Sequence, residues 1–336
     1  MEIRAAVNDT NINESFSEEL RFYWRALPNK LFFFSLLIAW LALFQFLGNS
    51  TFGYVDTPSL FNWMLKAYNT KTDVADDSYG NLVPLVVLGL MWWKRKELLA
   101  QELKTWWPGL FLVASAVVLH IVGYTIQQTR LSVVALFVGI YGLMGLAWGL
   151  GFLRASFFPF FLFAFSVPLG SLTEPITFPL RMTVSRIVEF VGHDVFGLNV
   201  VREGTRLFKP ATLFGDGFDY DVAAACGGIR SLIAISGIAL VYGFMVFKSN
   251  WKRVVLIVSS APLSVIGNTV RLLVVVVTAE FWGRDAGLWV HDNELLSLLP
   301  YIPAILGLIL IGRWLEGQSP RTEKARTSSP KEQEAV

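Results

Sequence analysis

The sequence predicts an all-α polytopic membrane protein of about eight transmembrane helices, with a small extracytoplasmic segment between spans five and six. Three observations predict it. Of 336 residues, 54% are hydrophobic and only 16% are charged, against roughly 25% charged in an ordinary soluble chain. Apolar stretches near or beyond the roughly 17 to 25 residues needed to cross a bilayer recur along the chain. Short basic clusters separate them on alternate loops, the arrangement that sets orientation in a membrane. The net charge of +2 is too small to argue for nucleic acid as a partner.

The spans read, in order, as Leu31 to Gly48, Tyr79 to Trp93, Pro108 to Ile126, Leu131 to Gly151, Ser156 to Gly170, Cys226 to Phe247, Val254 to Trp282 and His291 to Ile311. Residues 1–30 are polar and of mixed charge, without the apolar core and small-residue cleavage site of a signal peptide, and read as a cytoplasmic segment. The integral domain is residues 31–312. Residues 313–336 read as a disordered cytoplasmic tail, because from Gly317 on they are rich in Ser, Pro, Lys and Glu. Lys94-Arg95-Lys96, Arg154, Lys248 with Lys252-Arg253, and Arg313 fall on alternate loops, which puts both termini inside. The Asn49 to Ser78 loop, rich in Asp, then lies outside, as does the 171–225 segment. In that segment Leu172 to Phe196 has a helical apolar pattern. Leu198 to Ala225 reads as short strands with turns at Glu203-Gly204 and Gly215-Asp216-Gly217.

Ionisable residues inside spans are expensive and usually functional. Three of them meet at one depth. Cys226 opens a helix running inward from the outer face and His291 opens another. Arg271, seventeen residues after Val254 on a helix running outward, lies roughly 25 Å above the inner boundary. Such a meeting permits nucleophilic chemistry. A thiol at a helix amino terminus, with a guanidinium nearby, is biased toward thiolate, so Cys226 is the candidate nucleophile. His291 is the candidate acid and base. Arg271 cannot deprotonate and suits an electrostatic role at a developing oxyanion or a substrate carbonyl. Each also has a plainer reading: a small buried hydrophobe for Cys226, an interfacial residue for His291, a snorkelling cation for Arg271. His120 and Glu280 come without an obvious partner and read as packing or boundary residues. Cys226 is the single cysteine, so an intrachain disulfide is excluded. No metal or cofactor is called for.

These residues resemble the exosortases and archaeosortases, membrane-embedded cysteine transpeptidases. The resemblance spans roughly Asp77 to Gly312 and rests on Ala225-Cys226-Gly227-Gly228-Ile229-Arg230-Ser231-Leu232, on Asn268-Thr269-Val270-Arg271, and on His291, in the family's order and approximate spacing. Tyr79-Gly80-Asn81-Leu82-Val83-Pro84, Val167-Pro168-Leu169 and Val201-Arg202-Glu203-Gly204 support it. The resemblance implies that Cys226 attacks a peptide bond near the carboxyl-terminal sorting signal of an exported protein, forms a thioester and releases the tail, and that a second nucleophile then receives the protein. The signal in this family is a short motif, often Pro-Glu-Pro, followed by a transmembrane helix and a basic cluster. Arg230 and Asn268, each one helical turn from a catalytic candidate, are expected at the substrate. The chain departs from the family pattern at Cys226-Gly227-Gly228, where Cys-Ser-Gly is common, and at Asp77-Ser78-Tyr79-Gly80, which lacks a His. Asp292 or Glu294 is placed to orient His291, and dipole complementation at a helix end is the plainer role for both.

The site would face the extracytoplasmic side of a bacterial inner membrane, with membrane lipid and exported proteins as partners. A transporter or flippase for a lipid-linked or polysaccharide precursor is the alternative, suggested by the Pro262 and Gly267 interruption in the seventh span. A noncatalytic membrane scaffold is the third reading.

Overall fold

The computed structural model describes residues 16–51, 55–70, 77–210, 217–221, 229–293, 296–298 and 301–317. The described residues are mostly helical and fall into two compact units, Met1–Pro175 and Ile176–Val336. Three helical stretches are both long and apolar enough to cross a membrane, Lys30–Leu47, Thr129–Ser166 and Asn250–Trp282, and shorter apolar helices occupy Val83–Trp93, Gly109–Thr125 and Ser231–Val246.

In the first unit, helix α1 (Phe16–Ala26) precedes α2 (Lys30–Leu47), and α3 (Leu60–Asn69) follows in the next loop. Ser59 caps α3, its side chain accepting from the Asn62 N–H. Then come α4 (Val83–Trp93), whose first turn carries Pro84, the short α5 (Arg95–Leu99), and α6 (Gly109–Thr125).

The stretch α7 (Thr129–Phe161) is not one rod. Gly149 has φ 94°, a left-handed conformation open to glycine, and a Cβ there would stand 2.5 Å from the Lys104 carbonyl. Beyond it the chain folds back on itself. Phe137 stacks on Phe163 with centroids 4.3 Å apart, and Tyr141 meets Phe160 at 4.9 Å. A straight helix would hold the first pair about 39 Å apart. The Tyr141 hydroxyl also donates to the Leu153 carbonyl at 2.6 Å. The two antiparallel segments are those read as spans four and five, with the reversal a few residues earlier than the sequence suggested. On this unit's inner face the Trp40 ring covers Gly139, and its indole N–H donates to the Leu136 carbonyl at 3.0 Å. Any side chain at 139 would collide with that ring, so the small residue sets how closely the helices approach.

In the second unit, α8 (Glu174–Phe190) ends in a wide turn, Val191–Val195, followed by a three-stranded antiparallel sheet of order β1 (Val201–Glu203), β2 (Arg206–Lys209) and β3 (Phe218–Asp221). Val201 opposes Phe208 and Lys209 opposes Phe218. Helix-then-strands is the pattern read from this segment, and Gly204, φ 64°, makes the β1–β2 turn at the expected Glu203-Gly204. Of the second expected turn, Gly215 and Asp216 lie outside the described residues.

The remaining helices are α9 (Ile229–Val246), α10 (Asn250–Trp282), α11 (Arg284–Asp292) and α12 (Tyr301–Gly317). The span read over His291 to Ile311 is therefore interrupted. His291 closes the short helix α11, Asn293 leaves the helical conformation, and the apolar helix begins at Tyr301. Asp292 and Asn293 in series favour that break, since short polar side chains compete for the backbone, and the Asn293 Oδ1 accepts from the Leu296 N–H at 3.2 Å.

Two clusters hold this unit. Val184 and Val188 of α8, Leu207 and Phe218 of the sheet, and Leu272, Val275 and Val276 of α10 form one. Ile235 and Ala239 of α9, Leu256 and Leu263 of α10, and Ala304 and Leu308 of α12 form the other. Between α9 and α10 the seam is polar: Ser231 and Ser264 share a hydrogen bond at 2.9 Å, and Ser236 and Ser260 one at 2.8 Å. In hydrocarbon, where lipid tails are as apolar as leucine, such pairs and close packing join helices more than the hydrophobic effect does. The tail beyond Gly317 lies outside the described residues.

Candidate active site

The site grows from one face of α10. Ser260, Ser264, Asn268 and Arg271 recur at helical spacing, which aligns them along that face. The first two engage α9 as above, and Asn268 is buried. Arg271 reaches α11: its Nη2 donates to the main-chain carbonyl of His291 at 3.1 Å. Its Nε is buried and has no hydrogen-bond partner among the described residues. A guanidinium with an unspent buried donor retains directional capacity for a further acceptor.

His291 is half-buried in the last turn of α11. With Asp219, Leu207, Leu272, Val276 and Leu288 it lines a cavity of about 200 Å³. Its position corrects the reading that it opens a helix.

The structure thus brings two of the three catalytic candidates into direct contact, though through the backbone of His291 and not its ring. Cys226 lies outside the described residues, three positions before α9 begins at Ile229. Arg230 is in the first turn of α9, with its side chain outside the described residues, as are the side chain of Asp292 and the whole of Glu294.

Glu280, read as lacking a partner, has one. Its Oε1 accepts from Lys209 Nζ at 2.7 Å, tying β2 to the end of α10, while Oε2 is buried without a hydrogen bond among the described residues. Seventy-one positions separate the two, and no local pattern signals the pairing. His120 also has a partner, Ser132 Oγ at 3.0 Å from its Nδ1.

The supporting motifs are structural joints. Arg202 sits in β1, where its backbone N–H and its Nε donate to the Glu189 carboxylate of α8 at 3.1 and 2.9 Å. In the first unit, Asp77, buried, accepts from the backbone N–H groups of Leu169 and Gly170 at 3.3 and 3.0 Å and from the Tyr79 hydroxyl at 3.0 Å. The Tyr79 and Val167-Pro168-Leu169 motifs, distant in sequence, therefore meet at one carboxylate. Beside them the Tyr68 hydroxyl donates to the Ser166 carbonyl in a short hydrogen bond, and Arg130 Nε donates to the Pro168 carbonyl at 2.7 Å. Burial holds the Tyr68 phenol well above its ordinary range, so it remains a donor.

A helical chain with apolar segments in series, several of them long enough to cross a bilayer, is a multi-pass membrane protein. Residues 72–310 match the family model for transmembrane exosortases, and the chain belongs to that family. No curated protein and no solved structure matches it.

Proposed function

We propose that this protein is a membrane cysteine transpeptidase that cleaves the carboxyl-terminal sorting signal of exported proteins, a signal made of a short motif, a transmembrane helix and a basic cluster. Family membership supports sorting of exported proteins in general terms. The observation that carries the finer reading is the Arg271–His291 contact beside a cavity: two residues singled out by chemistry, twenty positions apart, converge.

In this reading the Cys226 sulfur attacks the carbonyl carbon of the scissile peptide bond, and its proton passes to His291. The transfer leaves an imidazolium–thiolate pair. Arg271 stabilises the oxyanion with its Nε donor, which has no partner among the described residues. As the C–N bond breaks, His291 returns the proton to the leaving amine, and the released tail carries it away. The thioester at Cys226 is then resolved by an acceptor nucleophile or by water. Arg230 and Asn268 contact the substrate. The site opens on the extracytoplasmic face of the inner membrane, where a substrate helix can approach through the lipid with its motif at the boundary.

The test is tail cleavage of a co-expressed exported substrate, followed by the size of the product. Cys226→Ala abolishes cleavage while the protein still inserts in the membrane. Undiminished cleavage by that variant removes the reading.

A further inference from the structure

We infer that α1 is an interfacial helix, lying along the membrane surface with the stripe Phe16, Leu20 and Trp24 in the acyl boundary of the leaflet that carries the basic cluster Lys94-Arg95-Lys96.

The three residues recur every fourth position, so they line one helix face. They are 66%, 46% and 51% exposed, an apolar stripe that the described protein leaves largely uncovered. Its rotation is fixed by the flanking face. Glu19 pairs with Arg95, and the Arg95 guanidinium lies 5.4 Å from the Tyr23 ring centroid and 4.6 Å from that of Trp92. Those contacts hold one flank of α1 against the end of α4 and the start of α5.

The two ends of the stripe touch two different apolar helices. Phe16 meets Trp92 of α4 at 5.3 Å between centroids, and Trp24 meets Phe34, one turn into α2, at 5.4 Å. The stripe therefore bridges exposed apolar surfaces on two helices that the sequence reads as spans: Leu31, beside Phe34's turn, is 87% exposed, and Leu88 on α4 is 64% exposed. What covers those residues covers the stripe. In water an apolar patch of this kind would demand another occupant, whereas here it is continuous with the belt the bilayer must cover.

The depth of α1 is pinned as well. Lys30, at the start of α2, donates to the Trp24 and Arg25 carbonyls at 2.7 and 3.4 Å and so closes the carboxyl end of α1. The joining residues are anchored to the turn at Gly149, with Trp148 Nε1 donating to the Pro28 carbonyl at 3.0 Å and Asn29 Nδ2 to the Ala147 carbonyl at 3.1 Å. Asn29 takes a left-handed φ of 53°, turning the chain sharply between the two helices. Arg21 and Arg25 are exposed on the faces beyond the stripe, and Lys96 is exposed in the cluster, at the level where phosphate headgroups lie.

The experiment uses the full chain with Cys226→Ala, which leaves no other thiol, reconstituted in phosphatidylcholine–phosphatidylglycerol nanodiscs. Single cysteines are placed at Phe16, Leu20 and Trp24 and at Glu18, Arg21 and Arg25, and each carries a nitroxide. Accessibility to oxygen, which partitions into lipid, is compared with accessibility to a water-soluble nickel chelate. The oxygen-to-nickel ratio should be several-fold higher at the three stripe positions than at the other three. A low ratio at all six places the helix in water and overturns the inference. Stripe labels inaccessible to both reagents would mean that protein covers the stripe, which overturns it equally. Ser17 and Phe22 supply further sites if one substitution prevents insertion.

Discussion

Arg271 donates through Nη2 to the main-chain carbonyl of His291, at 3.1 Å, and so fastens α11 to α10 without engaging the imidazole. The latch and the proposed proton carrier are separate parts of one residue. They can therefore be separated by mutation. His291→Ala keeps the carbonyl, and with it the Arg271 hydrogen bond, and should lower tail cleavage by about a hundred- to ten-thousand-fold, the range for loss of a general acid–base. Arg271→Ala should lower cleavage and also cost about 1.5–3 kcal/mol of stability, the range for a hydrogen bond from a charged group. Cleavage by both purified variants, and unfolding of Arg271→Ala, check this; undiminished cleavage by His291→Ala or unchanged stability of Arg271→Ala would refute it.

The Lys209–Glu280 pair is only 20% and 16% exposed at its side chains, so its members are poorly screened. Lys209→Ala leaves the Glu280 carboxylate largely buried with no cation, and about 1–3 kcal/mol should be lost. The double variant Lys209→Met with Glu280→Met, which leaves no stranded charge, should be markedly less destabilised than either alanine variant. Thermal unfolding in detergent measures the difference.

Asp77→Ala strands the Leu169 and Gly170 N–H groups and removes the carboxylate to which the Tyr79 hydroxyl donates. We expect a loss of about 2–3 kcal/mol. Asp77→Asn retains a carbonyl acceptor and should lose less. If Asp77→Asn proves the more damaging, the two backbone bonds are not what the carboxylate supplies.

Tyr68, in the loop helix α3, is a neutral donor whose pKa burial raises from the ordinary 10.0, with the nearby Asp77 charge raising it further. A group with a raised folded pKa contributes stability that is fully present below its unfolded pKa and is lost as pH rises through the folded value. Its contribution is therefore constant through neutral pH and fades only in alkali. Tyr68→Phe should lower the thermal midpoint at pH 7, and above about pH 10 the gap between the two proteins should close.

At Gly149 the left-handed φ and the Lys104 carbonyl both exclude a side chain. Gly149→Ala should destabilise by about 1–3 kcal/mol or more, through strain at a position closed to L-residues. Gly89, where an added Cβ meets nothing within 4 Å, is the control and should tolerate alanine. Comparable losses at the two positions would contradict the hairpin turn.

Much of the helical architecture was legible because lipid enforces it. A backbone crossing hydrocarbon must satisfy its own hydrogen bonds, so apolar length alone announces a helix. The runs at Lys30–Leu47 and Gly109–Thr125 needed no tertiary information. The reversal at Gly149 was placed late, because a glycine within an apolar run carries no mark of its conformation. The final span was misread across Asp292 and Asn293, where hydropathy averaged over a break that local polar competition creates.

By itself, the sequence determined which stretches are apolar enough to leave water, which residues are chemically costly among them, and, through the order and spacing of the Cys226, Arg271 and His291 motifs, the family. Tertiary structure alone decided that Arg271 binds the His291 backbone, that Glu280 answers Lys209, and that Asp77 joins two motifs some ninety positions apart. The physical reason is range. Burial in lipid is a property each segment has alone, whereas a hydrogen bond between distant side chains exists only after packing has fixed both ends.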